Sequence, residues 1–284
     1  MLIIVGIIIV IACVLGGYVL AHGEIMALWQ PYEVLIICGA AFGAFVISNP
    51  GHVIKSTFGA IPSLLKGSKF NKALYLDFLA MMFDLLNKAR KDGLMAIEED
   101  VEEPKKSTIF KKYPKVLADH HVMDFITDYM RLMIGGNTNP FQLENLMDVE
   151  LEAHHQEAAL IPDAITRVSD ALPGFGIVAA VLGIVITMAS LGGPPEVIGA
   201  HVAAALVGTF LGILFAYGFV GPFAIAIEHM GREEAQFYQC IKVCLLASAN
   251  GYSPQIAVEF ARKAMYSADR PSFIELEKHV KKKK

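Results

Sequence analysis

The chain has 284 residues, 55% of them hydrophobic and only 18% charged, with a formal net charge of −4. A soluble domain carries about a quarter of its residues as charged side chains, so an ordinary water-soluble globule is excluded, and the weak acidic balance gives no footing for nucleic acid. Charge placement is more telling: no Lys or Arg precedes Lys55 and none lies between Arg167 and Arg232, so all 24 basic residues fall in the blocks 55–167 and 232–284.

The first element is MLIIVGIIIVIACVLGGYVLA, residues 1–21, an unbroken apolar run. It has no basic start and is followed by no small-x-small cleavage site, so a retained membrane helix is expected rather than a signal peptide. A second, shorter run extends from about Val34 to Ile47 and can begin one turn earlier. The third lies between Asp170 and Glu196 and the fourth between Glu196 and Glu228. A spanning helix needs about 20 largely apolar residues; the first, third and fourth runs qualify outright, and the second with help from its flanks. The connections 22–33 and 192–200 contain no Lys or Arg and are expected outside, with both basic blocks in the cytoplasm.

Residues 51–170 are too long for a loop and too charged for a bilayer. Within them NKALYLDFLAMMFDLLNKARKDG places Leu74, Leu76, Phe78, Leu79, Met82, Leu85 and Leu86 near one broad helical face, and Gly93 interrupts it. LMAIEEDVEEP resumes the pattern, one helix is expected from about Pro114 to Ile134, and GGNTNP separates it from a long helix that runs toward the third span. The stretch 232–276 is expected to be helical with a break at NGYSPQ, where Pro254 starts a new helix. The terminal KKKK needs no role beyond solubility or contact with anionic lipid. Cys240 and Cys244, four apart, are expected on a packed face, and the adjacent His154 and His155 point in different directions. Neither pair completes a metal site, and no nucleotide loop, hydrolase elbow or zincin motif occurs.

The third and fourth spans are rich in small residues. Gly176, Ala180 and Gly183 keep one side of the third low, and positions 204, 208, 212 and 216 of the fourth are Ala, Gly, Gly and Ala. Such residues let helices approach closely in lipid, either within the chain or between subunits. Thr187 and Thr209 are the deep hydroxyls, with Tyr217 lower down; a membrane threonine either binds its own i−4 carbonyl or serves a neighbour. Pro173 and Pro222 are expected at the cytoplasmic ends of these two spans. Glu24, Glu33, Glu196 and Glu228 all fall near the interfaces and His201 near the outer edge, which leaves no Asp, Glu, Lys or Arg deep in the bilayer. A proton relay needs an intramembrane titratable group. The chain therefore either moves no ion or lines a path whose carboxylate belongs to a partner.

The segments VLIICGAAFGAF (34–45), LPGFGIVAAVLGIV (172–185), VGTFLGILFAYGFVGP (207–222) and NGYSPQIAVEFARKAMYSADRPSFIELE (250–277) resemble the MotA/TolQ/ExbB proton channel family. The last of them, with the long cytoplasmic insertion, favours its flagellar stator (MotA) branch over the shorter TolQ and ExbB energisers. The resemblance implies an all-α integral membrane protein: four transmembrane helices with a large helical cytoplasmic domain between helices 2 and 3. The expected division is 1–50 for the first two spans, 51–170 for the domain facing the rotor, 171–228 for the spans lining the ion path, and 229–284 for the cytoplasmic C-terminal helices and basic tail. It further implies a multi-pass protein of the bacterial inner membrane, with cytoplasmic termini, no enzymatic activity and no cofactor or metal.

Five such chains would surround two copies of MotB, each supplying an ion-binding Asp and a peptidoglycan anchor, and torque would pass to the rotor protein FliG. By position, the resemblance puts Thr209, Ala180 and Tyr217 on the ion path, Pro173 and Pro222 in conformational coupling, and Arg90 and Glu98 at the rotor interface. Without it, Arg90 and Glu98 are an ordinary solvated face. In sodium-driven relatives a second hydroxyl stands where this chain has Ala180, so protons are the expected ion. The competing readings are a TolQ- or ExbB-like energiser and a membrane scaffold in which Thr209 and the prolines only pack.

Overall fold

The computed structural model describes residues 2–136 and 139–283. Asn137 and Thr138 of the expected GGNTNP break, and Lys284 of the basic tail, lie outside the described residues. In chain order the helices are α1 Leu2–Leu20, α2 Pro31–Ser48, α3 Gly51–Lys66, α4 Lys72–Asp92, α5 Glu98–Glu102, α6 Pro114–Leu117, α7 His120–Ile134, α8 Pro140–Ala189, α9 Pro195–Phe215, α10 Gly221–Ala249, α11 Pro254–Ala264 and α12 Phe273–Lys283. Among the described residues there is no strand, and four helical stretches are long and apolar enough to cross a membrane. The chain is all-α and divides into two compact units, one from the N-terminus to Gly67 with Ala158–Met230, the other Ser68–Glu157 with Gly231 onward.

The first unit holds the four apolar stretches. α1 is apolar all round and buries none of its residues within the chain, the pattern of a helix whose surroundings are lipid or another subunit. Pro31, with its fixed φ, opens α2 at the position where a missing N–H costs nothing. α2 turns one stripe inward: Glu33, Ile37, Ala41 and Phe45, spaced four apart, are its buried residues.

Two helix ends expected at prolines are absent. Pro173 lies inside α8, and Pro222 is the second residue of α10, reached through a π-turn at Ala216–Val220. The π-turn is the compensation: it widens the helix by one residue, and the Gly221 N–H reaches back to the Ala216 carbonyl. Ser169, one turn before Pro173, donates its hydroxyl to that same Ala216 carbonyl at 3.0 Å. This bond ties α8 to the π-turn across the two helices.

The second unit has a dense core. Asn71 caps α4, its side chain accepting from the Ala73 and Leu74 amides at 3.1 Å each. Phe78, Leu79, Met82 and Leu85 of α4 are fully buried, whereas Leu76 only borders the core. α10 answers with Phe237, whose ring lies 5.1–5.2 Å from those of Phe70, Tyr75 and Phe78. Gly93 ends α4 with φ +88°, a conformation that L side chains resist. The expected helix 114–134 is two, α6 and α7, because the Asp119 side chain accepts from the Val122 amide and starts a new helix. The helix expected to reach residue 276 also breaks. α11 stops at Ala264, and α12 opens on a reciprocal cap in which Ser272 and Glu275 each accept from the other's amide. Lys72 then pairs with Glu275 at 2.9 Å and His279 with Asp77 at 2.9 Å, which seats α12 on α4. The Lys72 hydrogen bond, followed by the Ser272 amide, holds the Glu275 carboxyl down at about 2. Its folded value is depressed, so the pair is intact above the ordinary carboxylate range and is lost only as pH falls toward 2.

Cys240 and Cys244 are both fully buried, as their spacing predicts. Burial pushes the Cys240 thiol up to about 12 and the Cys244 thiol up further. The thiolate is the nucleophile, so neither should be alkylated by iodoacetamide at pH 7.5 in the native protein, and both should be after denaturation. Mass spectrometry of the tryptic peptides reads the difference; native labelling of Cys244 would contradict this packing.

A candidate ion-path seam between α8 and α9

The small residues of α8 and α9 face each other. A Cβ added at Gly176 would lie 3.0 Å from the Gly208 carbonyl oxygen and 3.2 Å from the Gly212 Cα. One added at Gly212 would lie 2.7 Å from the Leu172 carbonyl oxygen and 3.0 Å from the Gly176 Cα, and one at Gly183 would lie 2.9 Å from the Ala205 Cβ. The backbones are therefore in direct contact over two turns. This resolves the small-residue stripe: Gly208 and Gly212 serve close approach within the chain, in the manner expected of membrane helices that lack a hydrophobic drive to associate.

Thr209 sits on the flank of this seam. Its Cα is 3.4 Å from where a Gly176 Cβ would be, and its side chain is half-buried. Thr57, Thr166 and Thr187 each donate to their own i−4 carbonyl at 2.8 Å, the usual fate of a helical threonine. Among the described residues Thr209 makes no such bond. Ala180 is half-buried on the same seam, its amide nitrogen 3.6 Å from where a Gly208 Cβ would be. Tyr217 does not join them; it stands in the π-turn with 66% of its surface exposed. Pro173 and Pro222 are not brought together by any hydrogen bond among the described residues; the bond nearest them joins Ser169 to the Ala216 carbonyl.

Glu33 departs from the expectation of an interfacial carboxylate. It is only 8% exposed, and its Oε2 lies 3.0 Å from where a Gly208 Cβ would be, without a hydrogen-bond partner. Gly208 stands near the middle of the uncharged run 197–227. A carboxyl close to the start of its own helix is thus level with the middle of its neighbour. The signal was available in the stripe 33, 37, 41 and 45, which makes Glu33 the first residue of a buried face.

In the second unit Arg90 closes α4 and Glu98 opens α5, and both are exposed. Their neighbours are engaged: Lys88 with Asp100 at 2.7 Å, Arg131 with Glu102 at 2.7 Å, Lys106 with Glu103 at 2.8 Å. Among the described residues Arg90 and Glu98 make no ion pair. His155 is exposed, while the His154 ring rests 4.9 Å from that of Tyr238. Among the described residues no three His, Cys, Asp or Glu converge as a metal would need.

Residues 4–93 match the family model described as motility protein A N-terminal, and residues 118–239 match that of the MotA/TolQ/ExbB proton channel family. Motility protein A of Salmonella typhimurium is 50% identical over 281 residues, covering 99% of this chain and 95% of that protein. The chain belongs to the motility protein A family. Motility protein A of Escherichia coli is 48% identical over 281 residues, covering 99% of this chain and 95% of that protein; chemotaxis protein LafT of Vibrio parahaemolyticus is 39% identical over 273 residues, covering 96% of each. The fold is shared with MotAB from C. jejuni (TM-score 0.78, 19% identity, 95% of this chain and 98% of that one). It is shared equally with the flagellar MotAB stator complex from Bacillus subtilis (TM-score 0.77, 23% identity, 96% and 99%). The N-terminal match and the full-length identity decide for the motility branch over the TolQ and ExbB energisers. Membership of this family makes the chain a membrane-embedded subunit with an ion-channel role in motility, a non-enzymatic one.

Proposed function

We propose that the chain is the stator subunit of a bacterial flagellar motor, which with MotB forms a proton channel that turns ion-motive force into torque. The observation that carries this reading is the seam: two membrane helices in backbone contact, flanked by a half-buried Thr209 whose hydroxyl has no hydrogen bond among the described residues. Five copies enclose two MotB helices, each of which brings the carboxylate that α8 and α9 lack. Thr209 orders water beside that carboxylate, and Ala180 leaves room without adding an oxygen. A sodium ion needs several oxygen ligands to replace its water, whereas one carboxylate and water suffice for a proton; the apolar Ala180 side therefore favours protons. Loading and discharge of the partner's acid moves α8 against α9 near the bond from Ser169 to the Ala216 carbonyl, with Pro173 and Pro222 as the coupling residues, and rotation of the ring passes to FliG through Arg90 and Glu98. The chain sits in the inner membrane with both termini cytoplasmic, the side on which the basic blocks 55–167 and 232–284 belong, and it performs no covalent chemistry.

The test is swimming speed in a strain deleted for this gene and complemented with the chain or with Thr209→Val, in potassium and sodium buffers of equal osmolarity. Flagella that are built but paralysed until complementation, and swimming independent of sodium, are the expected results. Thr209→Val keeps the shape of the side chain but not its hydroxyl, and should assemble and leave cells nearly immobile. Full speed with Thr209→Val would leave only a scaffold, and a steep rise of speed with sodium would overturn the reading of Ala180.

A further inference from the structure

We infer that α3 binds anionic phospholipid of the cytoplasmic leaflet: Phe58 and Ile61 enter the acyl layer, and Lys55 meets the headgroup phosphates. The inference rests on the reading that the basic blocks lie in the cytoplasm, and not on the identity of the ion.

α3 follows α2 after a bend at Asn49 and Pro50. The Asn49 side-chain amide donates to the Phe45 carbonyl at 2.7 Å and closes the span, so α3 begins where α2 leaves the bilayer. Its residues fall into three sectors at helical spacing. Val53, Thr57 and Leu64 are buried, Val53 against Phe45 of α2 and Ala164 of α8. Beside them Ile54 is half-buried, and Phe58 and Ile61 are exposed. The remaining surface carries His52, Lys55, Ser56 and Gly59, all exposed. A helix packed on a protein in water needs a buried face and a polar one. An uncovered apolar sector beside a basic one is the pattern of a helix lying in a lipid interface.

The neighbours of that sector say what covers it. The Phe58 ring lies 6.4 Å from those of both Phe42 and Phe45. Phe42, Val46 and Ile47 of the span are themselves exposed, Ile47 by 89%. The sector therefore continues the apolar surface of α2 without a break, and acyl chains that cover one cover the other. The charges select the headgroup. Between Glu33 and Asp77 the chain has no Asp or Glu, but it has Lys55, Lys66, Lys69 and Lys72. Lys69 and Lys72 are engaged with Asp119 and Glu275, at 2.6 and 2.9 Å. Lys55 makes no ion pair among the described residues. A lysine beside an apolar face lays its stem along that face and extends its ammonium to the phosphates, and anionic lipid attracts it more than zwitterionic lipid does.

The experiment purifies the full chain with its MotB partner from bilayers of equimolar phosphatidylcholine and phosphatidylglycerol. Native mass spectrometry then counts the lipids that stay bound. The unaltered chain should retain phosphatidylglycerol in preference. Lys55→Glu should lower that preference about five-fold, the effect of one basic side chain at an anionic surface, and Lys55→Arg should keep it. Phe58→Ser should lower the retention of both lipids. The terminal lysines are common to every variant and leave the difference between them untouched. No preference in the unaltered chain, or an equal one in Lys55→Glu, overturns the inference. So does a Phe58→Ser complex that sheds subunits while lipid per chain is unchanged, because a second copy of the chain would then cover this face. Modification of Lys55 by a membrane-impermeant amine reagent outside intact cells would overturn the cytoplasmic assignment as well, and that labelling alone separates the two failures.

Discussion

Gly212→Val is expected to abolish swimming while the chain is still made and inserted. A Cβ at this position would sit 2.7 Å from the Leu172 carbonyl oxygen and 3.0 Å from the Gly176 Cα, both backbone atoms of α8 that cannot turn aside. Valine adds two further methyl groups at the same point, so α8 and α9 must part. Overpacking of this kind costs about 1–3 kcal/mol, which the whole chain can survive, because the second unit has its own core around Phe78 and Phe237. The seam cannot survive it, since the added methyl groups push apart the backbones on whose flank Thr209 stands. Gly174→Ala is the control, two residues from Gly176 on the same helix, where an added Cβ meets nothing within 4 Å. Swimming speed, with membrane level by immunoblot, separates the two: normal swimming with Gly212→Val would show that the backbone contact is dispensable. Equal paralysis by Gly174→Ala would move the tight packing to a face turned toward another subunit.

What could be foreseen from the residues, and what could not, follows from the kind of question each posed. The spans were legible because lipid tolerates no uncompensated charge, and the runs around Ile9, Val181 and Leu211 contain none. The Ala-Gly-Gly-Ala stripe was legible as a close-contact surface but not as contact with α8, since i,i+4 spacing names a face and never the helix opposite. Glu33 resists the sequence for a related reason. Counted along its own helix it lies three residues past Gln30, whereas the register of α2 against α9 places it beside Gly208. Pro173 and Pro222 read as ends because proline ends helices when nothing compensates. Before Pro222 the helix widens into the π-turn instead of ending, and α8 runs on through Pro173. The break before α12 was another matter: Ser272-x-x-Glu275 is a capping pair readable from the sequence, and the continuous apolar pattern around it hid the signal.

Reversing both Arg90 and Glu98, as Arg90→Glu with Glu98→Lys, is expected to remove most of the torque while leaving the fold untouched. The two side chains flank the turn at Gly93, are exposed, and make no ion pair among the described residues. Surface substitutions of this sort shift stability by about 0.5 kcal/mol or less, so thermal unfolding should not move. Asp100→Lys is the informative contrast. Asp100 is 5% exposed and accepts from both Lys88 and the Ser107 hydroxyl, at 2.7 and 2.5 Å, so reversal there puts a cation in a buried position beside the part-exposed Lys88. It should destabilise the unit by several times as much, on the order of 2–3 kcal/mol, below the scale for breaking a fully buried pair because Lys88 is partly solvated. A chain that loses torque through Arg90 and Glu98 without losing stability is defective in contact with the rotor, and the same contact predicts a remedy. Charge reversal on the facing surface of FliG should restore rotation to the double variant and not to Asp100→Lys. Bead rotation under load, measured for each pairing beside its unfolding midpoint, tests this directly. Full torque from the double variant would leave Arg90 and Glu98 as the solvated face that their exposure alone describes, and torque would then have to pass through another charged patch of the unit.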